Sequence, residues 1–149
     1  MGFKVLMYSR KKSREIALRT IFGLSAGGID GESVASLDNE KFANILELAC
    51  DGEELPTGRE LEYIKNLYGA VCGNLAAIDK IIADNAKGFS PDRIFKTDLA
   101  ALRLGIAEIK YTDVQPNIAI NEAVEIAKKY GTEKSAAFIN GILAKVTRD

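Results

Sequence analysis

The chain has 149 residues, a length that suits one ordinary domain, and 47% of them are apolar, enough for a core. No apolar run reaches the roughly 20 residues that a membrane-crossing helix needs, so no transmembrane helix and a soluble chain are expected. The net charge is −1 and histidine is absent, which removes the usual general base, the usual activator of a nucleophile and the commonest metal ligand.

In chain order, Phe3-Lys4-Val5-Leu6-Met7-Tyr8 reads as an arm rather than a strand. The run Arg10-Lys11-Lys12-Ser13-Arg14 and the apolar stretch before Ser25-Ala26-Gly27 imitate a signal peptide, but Glu15 and Arg19 interrupt the apolar part, and that reading is rejected. A first helix is predicted from Arg10 to about Leu24, capped by Ser9 and ended by Gly27-Gly28. Ile16, Ala17, Thr20, Ile21 and Leu24 share one face. A second helix spans about Asp38 to Cys50, with Phe42, Ile45, Leu46 and Ala49 inward.

Thr57-Gly58-Arg59-Glu60 has the form of a capping box and opens a third helix. Leu61, Ile64, Tyr68, Val71, Leu75, Ile78 and Ile82 then recur at alternating three and four, which predicts one long helix ending near Gly88. Gly69 and Gly73 within it are read as sites of close helix approach. Ser90-Pro91 reads as a cap and first helical residue, and Thr97 as the cap of a helix from Asp98 to about Tyr111 with Leu99, Leu102, Ile106 and Ile109 as its stripe. Pro116 starts the next helix, which Gly131 ends. Thr132 caps the last, with Ile139, Ile142, Leu143 and Val146 inward. The expectation is an all-α chain of six or seven helices, with a natural seam between Gly88 and Thr97.

Chemistry finds little purchase in this pattern. Cys50 and Cys72 are too few and too far apart for a zinc site and read as buried free thiols of a reducing cytoplasm. Ala26-Gly27-Gly28-Ile29-Asp30-Gly31 is glycine-rich, yet no Lys-Ser/Thr follows, so it reads as a loop and not a phosphate cradle. No catalytic residue, cofactor or metal ligand is assigned.

Charge is segregated. Residues 1–24 carry six basic side chains against Glu15, whereas residues 25–62 carry ten acids against Lys41 and Arg59. That contrast suggests two surfaces with different partners. The plain reading of the basic run is a solvated helix start. Two features weigh against it: positive charge at a helix amino terminus opposes the macrodipole, and Arg10 and Arg14 stand four apart on one face. A phosphate ligand would reverse both penalties, and Lys and Arg at this density suit a single-stranded nucleic acid. On the last helix Phe138 lies roughly 90° off the apolar stripe, from the ~100° step of a helix. It is either an edge-of-core aromatic or a ring open to a base or a partner's pocket.

Ser13 to Leu18, Asp98 to Ile109, Ala119 to Gly131 and Phe138 to Leu143 form a further pattern. In order and spacing these segments resemble the NusB family of transcription antitermination factors. The resemblance implies a NusB-like all-α bundle of about seven helices in two subdomains, divided here as 1–89 (with the basic arm) and 90–149. It implies RNA binding at boxA of ribosomal RNA transcripts, in transcription antitermination and the regulation of termination, and a cytoplasmic location. The implied partner is a small ribosomal protein acting as NusE, with other Nus factors and RNA polymerase engaged indirectly, and a homodimer as a further form. RNA contacts fall on Arg10, Lys11, Lys12, Arg14, Asp92 and Phe138; partner contacts fall on Asp98 and Phe138. Lysine stands twice where the family's run has arginine, and Lys134 stands where some members have an acid. The same domain also forms the amino-terminal part of certain ribosomal RNA cytosine methyltransferases. That alternative requires a further catalytic domain, and the chain is expected to lack one. A purely structural helical dimer, with the basic run solvated, is the third reading.

Overall fold

One helix, buried along almost its whole length, organises the molecule. The computed structural model describes residues 9–26, 39–88 and 93–146. Within them run seven helices and no strand: α1 (Arg10–Ala26), α2 (Asn39–Cys50), α3 (Gly58–Gly73), α4 (Leu75–Asn85), α5 (Lys96–Tyr111), α6 (Pro116–Tyr130) and α7 (Ser135–Leu143). The all-α expectation holds. The arm at Phe3 to Tyr8, the Ser90-Pro91 turn and Asp92 lie outside the described residues.

The buried helix is α5. Its sequence predicts one apolar stripe, yet every residue from Asp98 to Ile109 is buried. The reason is the small side chains between the large ones. Ala100, Ala101, Gly105 and Ala107 let neighbours close in on the remaining faces. α1 packs against α2, α3 and α5, while α4, α6 and α7 also lie on α5. Gly105 is a point of close approach: a Cβ there would stand 2.7 Å from Leu143 Cδ1. Gly69 and Gly73, read from the sequence as such points, face open space instead.

The predicted long third helix is two helices. Their boundary is Asn74, whose backbone leaves the helical region at φ −129° and ψ 22°. Its amide nitrogen Nδ2 donates to the Ala70 carbonyl at 2.8 Å. An asparagine next to a glycine offers the backbone this local alternative to a continuous ladder. The apolar seam still reads through the break: Ile64, Tyr68, Val71, Ile78 and Ile82 are all buried. Ends also shift. α5 begins at Lys96, with Phe95 rather than Thr97 at its cap. α7 begins at Ser135, whose Oγ accepts from the Thr132 backbone N–H at 2.9 Å. Cys50 and Cys72 are buried thiols outside any disulfide, as expected. No helix of the described residues is long and apolar enough to cross a membrane.

Candidate nucleic-acid interface

Ser9 caps α1 as the sequence predicts: its Oγ accepts from the Lys12 backbone N–H at 3.0 Å. The first turn of α1 therefore starts with the basic run, and the four cations of that run meet four different fates.

Arg10 is held sideways. Its Nε and Nη2 donate to the two carboxylate oxygens of Glu60 at 3.0 and 3.2 Å. Its guanidinium carbon lies 3.8 Å from the ring centroid of Tyr63. The side chain remains 40% exposed. Lys11 is exposed, and no carboxylate of the described residues pairs with it. Lys12 Nζ reaches Glu53 at 2.8 Å in a pair open to solvent.

Arg14 departs from expectation. It is buried, with Nε donating to both oxygens of Glu108 at 2.9 and 3.1 Å. It does not present itself to a phosphate. The reason is its register: four residues after Arg10, it passes beneath α3 and meets the buried carboxylate of α5. The phenol of Tyr63 donates to Glu108 as well. Burial works against the Arg14 charge, but the hydrogen bond and charge of Glu108 outweigh it and raise the guanidinium's pKa. Burial, joined by the Glu108 charge, pushes the Tyr63 phenol well above its ordinary value.

Glu60 carries a second correction. The sequence reads it as half of a capping box with Thr57, yet Thr57 makes no side-chain cap bond. Glu60 accepts instead from Arg10 and, at 2.7 Å, from Ser13 Oγ. The Arg10 hydrogen bond is the main reason its carboxyl lies below the ordinary range; burial opposes this and Ser13 adds to it. Lys12 lowers Glu53 in the same way.

The acidic segment thus answers the basic one inside the molecule. Glu53 and Glu60 take Lys12 and Arg10, so the two charge blocks are partly one another's counter-ions and not wholly two outward surfaces. The charge contrast between adjoining segments was the signal from which Glu53 and Glu60 could have been found. Tyr63 gave none, since it reads as an ordinary helix position.

Further along α1, Glu15 accepts from Lys129 Nζ at 3.0 and 2.9 Å and from the Tyr130 hydroxyl at 3.3 Å. Arg19 donates to the Tyr130 oxygen at 3.3 Å and to the Ala49 carbonyl at 3.1 Å. A groove of about 490 Å³ beside it is lined by Arg19, Gly23, Ile45, Leu48, Ala49, Asp51 and Glu53. Among the described residues no group of three His, Cys, Asp or Glu side chains could hold a metal ion.

The other expected contacts lie on other helices. Phe138 is half-buried against the core on α7, which packs chiefly on α5 and α6. Asp98 is 6% exposed in the first turn of α5, so it does not stand out toward a partner as an exposed acid would. Its position is the one where the helix dipole favours a carboxylate. Its Oδ1 has no hydrogen-bond partner among the described residues. Phe95, just before it, is 66% exposed.

Fold and site together define an all-helical protein whose first helix carries a cation cluster, one part tied into the core and one part held at the surface. The family model described as "NusB family" matches residues 11–148. The "Transcription antitermination protein NusB" of Geotalea uraniireducens is 38% identical over 141 residues, covering 94% of each chain. A solved structure of T. maritima NusB superposes with a TM-score of 0.75 at 28% identity, covering 93% of this chain and 89% of that one. A structure of antitermination factors NusB and NusE in complex with dsRNA gives a TM-score of 0.76 at 25% identity, covering 94% and 96%. The chain belongs to the NusB family.

Proposed function

We propose that this chain is a transcription antitermination factor that binds boxA-type single-stranded RNA of ribosomal RNA transcripts together with a small ribosomal protein acting as NusE. Relatives that match over nearly their whole length bear the antitermination name, which supports this reading over that of a methyltransferase domain. A similar solved structure pairs NusB with NusE and RNA, which supports the choice of partners. The observation that carries the reading to particular residues is the exposed edge of α1. There Lys11 has no carboxylate partner among the described residues, and Arg10 and Lys12 stand beside it with accessible side chains.

On this reading Arg10, Lys11 and Lys12 contact RNA, and Arg14 holds α1 onto α5. Phe138 offers its ring edge to RNA or to the ribosomal protein, and Asp92 lies along the RNA path. The start of α5 faces the ribosomal protein. Exposed Phe95 and the Oδ1 of Asp98, unpartnered among the described residues, support that last assignment.

Fluorescence anisotropy with a boxA-like single strand, with and without the ribosomal protein, tests the proposal. Saturable binding that tightens with the protein partner is the expected result. A duplex of the same sequence serves as the comparison. Absence of binding to either RNA, alone or with the partner, overturns it.

A further inference from the structure

The fixing of Arg10 has a cause and a consequence. Its Nε–Nη2 edge is taken by Glu60 and one of its faces by Tyr63. Tyr63 is itself fixed, because its hydroxyl donates to Glu108, and Glu108 is pinned by buried Arg14. A buried ion pair between α1 and α5 thus sets the tilt of a guanidinium at the surface. The side chain remains 40% exposed, and among the described residues Nη1 makes no hydrogen bond.

What such a group binds follows from its charge and shape. Glu60 already neutralises it, so a phosphate arriving at the free edge would meet a nearby carboxylate. A neutral base would not. A guanidinium is flat and weakly hydrated, and unpaired bases stack on such planes. Holding it in place removes the side-chain entropy that binding would otherwise cost. Lys11, one residue on and with no carboxylate partner among the described residues, supplies the phosphate contact that a stacked nucleotide also needs.

We propose that Arg10, clamped between Glu60 and Tyr63, is a stacking platform for one unpaired base, with Glu60 and Tyr63 as positioning residues. The inference rests on the RNA-binding reading and deepens it: within the basic run, base and phosphate contacts are divided between Arg10 and Lys11.

The test uses the full chain and short single-stranded RNAs carrying 2-aminopurine at one position at a time. In the wild type one position is quenched on binding. Arg10→Lys keeps the charge but removes the plane. It weakens binding roughly tenfold, the scale of one lost stack, abolishes the quench and leaves the salt dependence unchanged. Tyr63→Phe keeps the ring but not its tether to Glu108, so the quench weakens, whereas Tyr63→Leu abolishes it. Thermal melts of each variant show that the fold persists, and Arg10→Lys, at an exposed site, carries the result if Tyr63→Leu is unfolded. Lys11→Ala flattens the salt dependence and leaves the quench in place. Arg10→Lys binding and quenching as the wild type does would overturn the stacking proposal, while a flattened slope in Lys11→Ala would leave the RNA reading standing. A wild type that binds no RNA, alone or with the ribosomal protein, overturns both.

Discussion

Arg14 of α1 and Glu108 of α5 form a buried ion pair, with Nε 2.9 and 3.1 Å from the two carboxylate oxygens and each side chain almost wholly shielded from water. The pair joins residues 94 apart in the chain and turns one member of a basic surface run into part of the core. Removing either partner leaves an uncompensated buried charge. Arg14→Ala or Glu108→Ala should therefore destabilise the chain by about 3–5 kcal/mol, measured as the shift in urea unfolding free energy. The double variant Arg14→Met with Glu108→Leu should recover much of that loss. An Arg14→Ala chain that unfolds like the wild type would show that the pair does not hold the two helices together.

The pairing pattern also sets the salt dependence of RNA binding. Three unpaired cations at positions 10, 11 and 12 would contribute about −2 to the log–log salt slope on a single strand. Arg10 and Lys12 already have carboxylates as counter-ions, which leaves Lys11 to release a full one. Replacing all three by alanine should therefore change the slope by about 0.7. Anisotropy titrations across a salt series measure it. A change near 2 would mean that RNA strips Glu53 and Glu60 from their partners.

Glu60 should make stability depend on pH in a defined direction. Its folded carboxyl lies below the ordinary value of 4.5, chiefly because Arg10 donates to it. A group lowered on folding contributes fully above its unfolded value and loses that contribution as the pH falls through the folded one. The difference in stability between wild type and Glu60→Gln should thus be constant at neutral pH. It should shrink as the pH drops from 4.5 through the lower folded value. Urea midpoints collected from neutral to acid pH check this, and a difference that grows on acidification would contradict it.

Gly131, at the end of α6, should resist replacement. A Cβ there would lie 2.5 Å from Ser135 Oγ and 2.8 Å from the Ala127 carbonyl oxygen, which belongs to the backbone and cannot swing aside. Gly131→Ala should cost about 1–3 kcal/mol, the usual range for forced overpacking. Gly69→Ala, in the middle of α3 and facing open space, should instead be neutral or stabilising by up to about 1 kcal/mol, since alanine favours the helix. Paired thermal melts decide between these signs.

The sequence by itself determined most of the helices and which apolar side chains turn inward, though not the break at Asn74 or the burial of α5 on every face. Spacings such as Ile64, Tyr68 and Val71, or Ile139, Ile142 and Leu143, fix which side of a helix avoids water, and the structure buries all six. Local chemistry likewise placed the Ser9 cap and the Gly131 stop. The basic run was visible as a run, and the family pattern supplied its expected ligand. Only the tertiary structure decided what each cation does. Lys11 and Arg14 look alike in sequence, yet one is exposed and the other lies under Glu108, because the register of α1 against α3 and α5 turns successive side chains toward different neighbours. Glu60 shows the same limit. A Thr-x-x-Glu spacing describes a cap that a helix could make alone, but the carboxylate found stronger donors in Arg10 and Ser13 once α1 packed beside it. Periodicity depends on neighbours in the chain and survives folding unchanged. Charge pairing depends on neighbours in space, and those exist only after the helices have met.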